Sequence, residues 1–193
     1  MIAPQPVRIV ATAALVLALG FSAAACSGEE SGDAAASTTT APPAESAGPA
    51  EALVQQGLAQ LEAGDDESAA VTFANALTVD PDNVFALYNL GLIHQDRGQD
   101  AKARAFYDRA LDRHPAFVQA LFNRAILTER TDLMEAVALY ERAAKEDPTF
   151  AAAHMRLGFA LQHLGELDRA EEALAEGIRL DPAMANVPAP SYD

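Results

Sequence analysis

Four prolines recur at an almost constant interval along the chain. They are Pro81, Pro115, Pro148 and Pro182, and their successive spacings are 34, 33 and 34 residues. A period in this range is typical of solenoids, in which each repeat is one small supersecondary unit. One such unit cannot bury its apolar face alone, so neighbouring units must stack. The chain is therefore expected to fold as a linear array and not around a single enzyme-like core.

Small and large side chains recur in phase with these prolines. Each proline is preceded by an alanine at twelve residues, a large side chain at eight and a small residue at five. In chain order these are Ala69, Ala103, Ala136 and Ala170; Phe73, Tyr107, Tyr140 and Leu174; and Ala76, Ala110, Ala143 and Gly177. Gly64, Gly98 and Gly165 stand mid-unit, where they suit the left-handed residue after a helix. Because proline cannot continue a helix, each unit is predicted to be a helix, a tight turn and a second helix.

This pattern resembles the tetratricopeptide repeat. The second unit matches the family's residue pattern most completely. Its matching residues are Leu87, Leu90, Gly91, Ala103, Tyr107, Ala110 and Pro115. The resemblance implies an all-α fold, a right-handed α-solenoid of four helical hairpins at residues 50–83, 84–117, 118–150 and 151–183. A disordered tail is predicted at residues 184–193.

The third unit departs from the pattern. It has Ala125 where the second unit has Gly91, and it is one residue shorter. Its turn at residues 130–132 lacks glycine. Asp132, followed three residues later by Glu135, is predicted to cap the next helix instead.

The first 49 residues have a different composition. Residues 9–19 are almost wholly apolar and follow Arg8, and small residues lead to Cys26, the one cysteine of the chain. Such a segment is short for a membrane span and fits a secretory signal. It resembles the signal of bacterial lipoproteins, which implies a signal peptide at residues 1–25 and lipidation of Cys26. Ala23, however, stands where that family prefers leucine.

The lipoprotein interpretation places the chain in the bacterial cell envelope, held to the extracytoplasmic side of the membrane. Two alternatives remain: ordinary signal-peptidase cleavage that secretes a soluble protein, or an uncleaved anchor. Residues 26–49 are poor in bulky apolar side chains and are predicted to be a disordered linker.

Composition and motifs argue against catalysis. The net charge of −15 repels phosphate backbones, which disfavours nucleic acid as a partner. The chain lacks a phosphate-binding loop, a nucleophile elbow and a metal-binding pair of histidines at helical spacing. We expect no catalytic site, no metal site and no cofactor.

The resemblance also implies a binding surface, because the first helix of each tetratricopeptide unit lines a concave groove. Transfer of the groove positions predicts a partner site at Tyr88, Asn89, Leu92, Phe122, Asn123, Ile126, Met155, Arg156 and Phe159. Asn89 and Asn123 would align the backbone of an extended peptide. The competing interpretation of this apolar stripe is additional packing inside a tight superhelix.

The predicted function is a non-catalytic adaptor that binds a protein segment in this groove. The alternatives are a subunit or regulator of an envelope enzyme or assembly complex, a secreted repeat protein, or a purely structural spacer. No capping helix follows Pro182, so the outer face of the last repeat, with Ala173 and Ile178, is predicted to dock a partner or a second copy.

Overall fold

Eight α-helices and one short 3-10 helix make up residues 48–192, the part of the chain that the computed structural model describes. The helices are α1 (Pro49–Glu62), α2 (Asp66–Val79), α3 (Val84–Asp96), α4 (Asp100–Arg113), α5 (Val118–Thr128), α6 (Leu133–Glu146), α7 (Ala151–His163) and α8 (Leu167–Leu180), and the 3-10 helix is Pro182–Asn186. These residues contain no strand. The predicted signal peptide, the lipidation of Cys26 and nearly all of the linker lie outside the described residues.

The helices pack as four consecutive hairpins. α1 packs on α2, α3 on α4, α5 on α6 and α7 on α8, and each second helix also packs on the first helix of the next hairpin. The all-α solenoid predicted from the sequence is confirmed. We call the surface formed by α1, α3, α5 and α7 the first-helix face.

Three of the four hairpin turns contain a glycine with positive φ, as predicted. The φ values are 78° at Gly64, 67° at Gly98 and 81° at Gly165, a region that side chains with a Cβ rarely adopt. The third turn closes differently, because the backbone N–H of Asp132 donates to the carbonyl of Thr128 at 2.8 Å. The carboxylate of Asp132 then accepts from the N–H of Glu135 at 2.9 Å, so the predicted cap is confirmed.

A large side chain fills the space within each of the first three hairpins. Phe73, Tyr107 and Tyr140 are all fully buried. The opposing glycines leave room for these rings: a Cβ at Gly57 would lie 2.7 Å from Phe73 Cε1, and one at Gly91 would lie 2.4 Å from Tyr107 Cε1. The absence of a Cβ at Gly57 and Gly91 is therefore required by the ring on the partner helix.

The end of the described chain is ordered differently from the prediction. The carboxylate of Asp181 caps the 3-10 helix by accepting from the N–H of Ala183 at 2.9 Å. Tyr192 is half-buried and packs against the apolar cluster of Val137, Ala160, Leu161 and Ala170. The expectation of a structureless tail from residue 184 is thus corrected, because a distant aromatic contact holds a segment whose local composition is unfavourable for a helix.

Candidate functional site

The residues predicted to bind a partner differ widely in exposure. Tyr88, Asn89, Phe122 and Met155 are buried, with at most 6% of each residue exposed. Leu92, Asn123, Ile126, Arg156 and Phe159 are half-buried. Phe85, one turn before Asn89 on α3, is 55% exposed and is the one exposed aromatic residue within 48–192. The accessible candidates are therefore the half-buried set together with Phe85.

The buried aromatic residues of this set belong to the packing within and between units. The ring of Tyr88 lies 5.0 Å from that of Phe117 and 5.9 Å from that of Tyr107. The ring of Phe122 lies 5.0 Å from that of Phe150 and 5.6 Å from that of Tyr140.

Met155 is enclosed by the last hairpin in the same way, since a Cβ at Gly177 would lie 2.7 Å from its Cγ. Tyr88, Phe122 and Met155 therefore contribute to helix packing, and their role in partner binding stays a prediction.

The two asparagines also differ from expectation. The buried side chain of Asn89 donates to the carbonyl of Phe85 at 2.8 Å, within its own helix. The amide of Asn123 donates to Tyr88 Oη at 3.1 Å and to the carbonyl of Gln119 at 3.0 Å. Both amide groups thus have partners inside the fold, with Asn89 buried and Asn123 half-buried, and alignment of a peptide by either residue stays a prediction.

A buried carboxylate links the third and fourth hairpins. Glu129, which is 8% exposed, accepts a hydrogen bond from Tyr140 Oη at 2.6 Å and pairs with Arg156 Nη1 at 3.0 Å. Burial, followed by the charge of Glu129, raises the pKa of Tyr140. Arg156, expected from the sequence to meet a ligand, is therefore engaged by the protein itself. No local sequence signal identifies this pair, because its members are 27 residues apart.

A second buried charge ties three helices together. Arg124 donates from Nε to Asp108 at 2.7 Å and from Nη2 to Glu135 at 3.1 Å, and it also contacts Thr128 Oγ1. This arginine joins α4, α5 and α6, so it positions the middle of the solenoid and does not face a ligand. Its role was not anticipated from the sequence.

Tyr192 packs where α6, α7 and α8 meet. Its ring is 5.0 Å from that of His163 at the end of α7. Burial, followed by the charge of Glu129, raises the pKa of Tyr192, while Arg156 acts in the opposite direction. The hydroxyl is buried and has no hydrogen-bond partner among the described residues.

The outer side of the last hairpin carries a shallow apolar cleft of about 320 Å³. It is lined by Gln162, Leu167, Ala170, Glu171, Leu174, Ala175 and Ile178. This is the face that a following repeat would cover, and its use for self-association stays a prediction.

Within residues 48–192, no group of three or more His, Cys, Asp or Glu side chains is arranged to hold a metal ion.

Stacked hairpins with close-packed small residues and an open first-helix face define the chain as an α-helical repeat protein. Tetratricopeptide repeat family models match residues 54–116 and 127–187. The chain belongs to the tetratricopeptide repeat family.

Solved structures agree with this assignment. A crystal structure of MamA matches with a TM-score of 0.62 at 18% identity, over 72% of this chain and 82% of that one. PilF from Pseudomonas aeruginosa matches with a TM-score of 0.62 at 24% identity, over 70% of this chain and 64% of that one. A tetratricopeptide repeat protein from Parabacteroides merdae matches with a TM-score of 0.60 at 26% identity, over 69% of this chain and 54% of that one. No curated protein matches the chain.

Proposed function

We propose that this chain is a non-catalytic scaffold that binds a protein segment on its first-helix face at the bacterial cell envelope. Tetratricopeptide repeats generally serve as protein interaction modules, and the observation that carries the proposal is Phe85. Its ring is 55% exposed yet is positioned by an edge contact with Phe117, at a centroid distance of 6.0 Å. Such a ring loses little conformational freedom when a partner covers it.

The half-buried Leu92 and Ile126 extend the apolar surface from α3 to α5. Buried aromatic anchors provide most of the binding energy in many protein interfaces, while the surrounding contacts exclude water. Phe85 is suited to be the anchor, and the half-buried Leu92 and Ile126 are suited to be the surrounding contacts that exclude water.

Replacing Phe85 with alanine should weaken partner capture from envelope extracts by about 2 kcal/mol, roughly thirtyfold in affinity. The matched control is Val71→Ala, because Val71 is 58% exposed but lies on the second helix α2. Quantitative mass spectrometry of captured proteins, compared across wild type and the two variants, is the measurement. Equal recovery with Phe85→Ala and wild type, in proteins with the same thermal midpoint, would contradict the proposal.

The envelope location rests on the lone cysteine after a signal-like segment. No helix within residues 48–192 has both the length and the apolar character that a membrane crossing requires. Two acyl chains on Cys26 would hold the protein stably at a membrane surface, whereas a single chain binds only marginally.

Substituting Cys26 with serine should move most of the protein from the membrane fraction to the soluble fraction. The control is Ser37→Ala in the linker, which should leave the distribution unchanged. Fractionation followed by intact mass measurement distinguishes a lipid-modified form from an unmodified one. A Cys26→Ser variant that remains fully in the membrane fraction points to the uncleaved anchor, and an unmodified soluble wild type points to secretion.

A further inference from the structure

The first and last helices of the four hairpins carry the two halves of a contact that the chain makes three times internally. At each internal boundary a second helix packs on the first helix of the next hairpin: α2 on α3, α4 on α5 and α6 on α7. Within residues 48–192, α8 is a second helix that no first helix follows, and α1 is a first helix that no second helix precedes. The internal boundaries therefore show what each end would bury if it met its counterpart.

An aliphatic residue near the end of α2 packs with an alanine of the next hairpin. Leu77 lies against the same buried cluster to which Ala86 of α3 belongs, and the equivalent alanines of α5 and α7 are fully buried as well. On α8 the place of Leu77 is taken by Ile178, which is 38% exposed. On α1 the place of Ala86 is taken by Ala52, which is also exposed. Ile178 and Ala52 are thus the two uncovered halves of this contact.

A leucine at the start of α6 makes a second contact of the same kind. Leu133 packs against the buried cluster that contains Ala160 of α7. Its counterpart on α8 is Leu167, which is 64% exposed and lines the apolar cleft of the last hairpin. The counterpart of Ala160 on α1 is Ala59, which is exposed. Each end again offers one half of a contact that is closed inside the chain.

A polar pair lies between these two contacts. Where α6 meets α7, Val137 and Leu157 are both apolar and share one cluster. The same two positions at the ends are Glu171 on α8 and Gln56 on α1, and both residues are exposed. A side-chain amide donates hydrogen bonds and a carboxylate accepts them. The apolar groups are therefore replaced on both ends by polar groups that complement each other.

Charge distinguishes this arrangement from a two-fold pairing of α8 with itself. Two α8 helices face to face would bring two Glu171 carboxylates into one apolar contact, where like charges oppose association. Arg169 and Arg179, the basic residues of α8, already pair with glutamates of their own chain. The three α1 positions that would face α8 are an amide and two alanines, so they add no like charge.

We propose that copies of this chain stack end to end, with α8 of one copy packing on α1 of the next. A contact between two different surfaces leaves one of each free in a dimer, so further copies can add until a ring closes. One helix-to-helix contact is small compared with a permanent interface, so we expect a Kd on the order of 10 μM. Stacking is separate from partner capture through Phe85, which lies on α3 and at neither end.

Sedimentation velocity of the full chain in a non-ionic detergent, at concentrations from about 1 to 100 μM, measures this growth. Wild type should sediment progressively faster, past the dimer, as its concentration rises. Ala52→Arg and Leu167→Arg each put a long charged side chain into one half of the contact, and each should stay monomeric. The matched control is Val71→Arg, which should behave as wild type does, because Val71 is 58% exposed but lies on α2. All three changed residues are exposed, so the thermal midpoints should match that of wild type.

Mixing the two end variants tests the head-to-tail arrangement directly. Ala52→Arg keeps an intact α8 and Leu167→Arg keeps an intact α1, so an equimolar mixture should form a dimer that grows no further. Two-fold pairing of α8 would instead let Ala52→Arg associate alone and would leave the mixture without a new dimer. Either of those results, or a wild type that stays monomeric over the whole range, overturns the proposal.

A crosslink in the otherwise unchanged chain locates the contact. The full chain with p-benzoylphenylalanine in place of Gln55, an exposed residue next to Gln56 on α1, is mixed with an isotope-labelled copy and irradiated. Crosslinks between copies should join α1 to the last hairpin, α7 and α8, of the other copy. Crosslinks that reach only α1 and α2 of the other copy, or none between copies, overturn the stacking.

Discussion

Replacing Gly91 with alanine should lower the free energy of unfolding by about 2 kcal/mol. The new Cβ would lie 2.4 Å from Tyr107 Cε1 and 2.7 Å from Cδ1, closer than side chains approach. The Tyr107 ring cannot move aside easily, because it is fully buried and its hydroxyl donates to Gln95 at 2.8 Å. Overpacking typically costs about 1–3 kcal/mol, and the rigid contact favours the upper end. Alanine recovers about 1 kcal/mol of helix propensity, which offsets only part of this cost.

The chain supplies its own control for this change. Ala125 occupies the equivalent position in the third hairpin, where a Cβ is already accommodated and the residue is fully buried. The reverse substitution, Ala125→Gly, should cost only about 1 kcal/mol, mainly from helix propensity. Urea denaturation followed by far-ultraviolet circular dichroism measures both. An unfolding midpoint of Gly91→Ala equal to that of wild type would show that the hairpin opens freely to admit the methyl group.

Truncation of Tyr140 to alanine should have the largest effect, a loss of about 4 kcal/mol in unfolding free energy. The side chain is fully buried, its ring packs on Phe122, and its hydroxyl donates to the buried Glu129. The alanine variant would lose the packing and also one of the two partners of the carboxylate.

Tyr140→Phe separates these two contributions. It keeps the ring and removes the hydroxyl, so it should cost about 2 kcal/mol, the range expected for a hydrogen bond to a charged group. The comparison variant is Tyr88→Phe, whose lost partner is the half-buried and neutral Asn123, and whose cost should stay near 1 kcal/mol. If Tyr140→Phe proved as stable as wild type, the pairing with Arg156 alone would be enough to stabilise the buried carboxylate of Glu129.

The helices and turns could be predicted because their signals are local. Gly64, Gly98 and Gly165 mark turns because each adopts the positive φ that closes its own hairpin. Asp132 marks the third turn, which lacks glycine, because its carboxylate accepts from the N–H of Glu135 three residues later. In each case the decisive atoms are close in sequence, so one repeat is enough to recognise them.

The exposure of the candidate site residues could not be predicted, because exposure depends on residues that are distant in sequence. Helical spacing identifies Tyr88 and Phe122 as apolar positions, but it does not reveal that Phe117 and Phe150 cover them. The sequence around Glu129 likewise does not reveal that this carboxylate is buried and paired with Arg156 of the next hairpin.

Tyr192 stands alone after two prolines in the sequence. Its contact with His163 therefore had no local signature.

Phe117 and Phe150 also hold a distinctive place at the boundaries between hairpins. Each stands at the N-cap of a first helix and makes no capping hydrogen bond through its side chain. At the first boundary the same place is taken by Asn83, whose side chain accepts from the N–H of Ala86 at 3.0 Å. This position thus supplies an aromatic contact between hairpins at the two later boundaries and only a local helix cap at the first, where the buried cluster of Phe73, Ala76, Ala86 and Leu90 joins the hairpins instead. Loss of either ring would therefore loosen a joint between two hairpins, whereas loss of the Asn83 cap would fray only the start of α3.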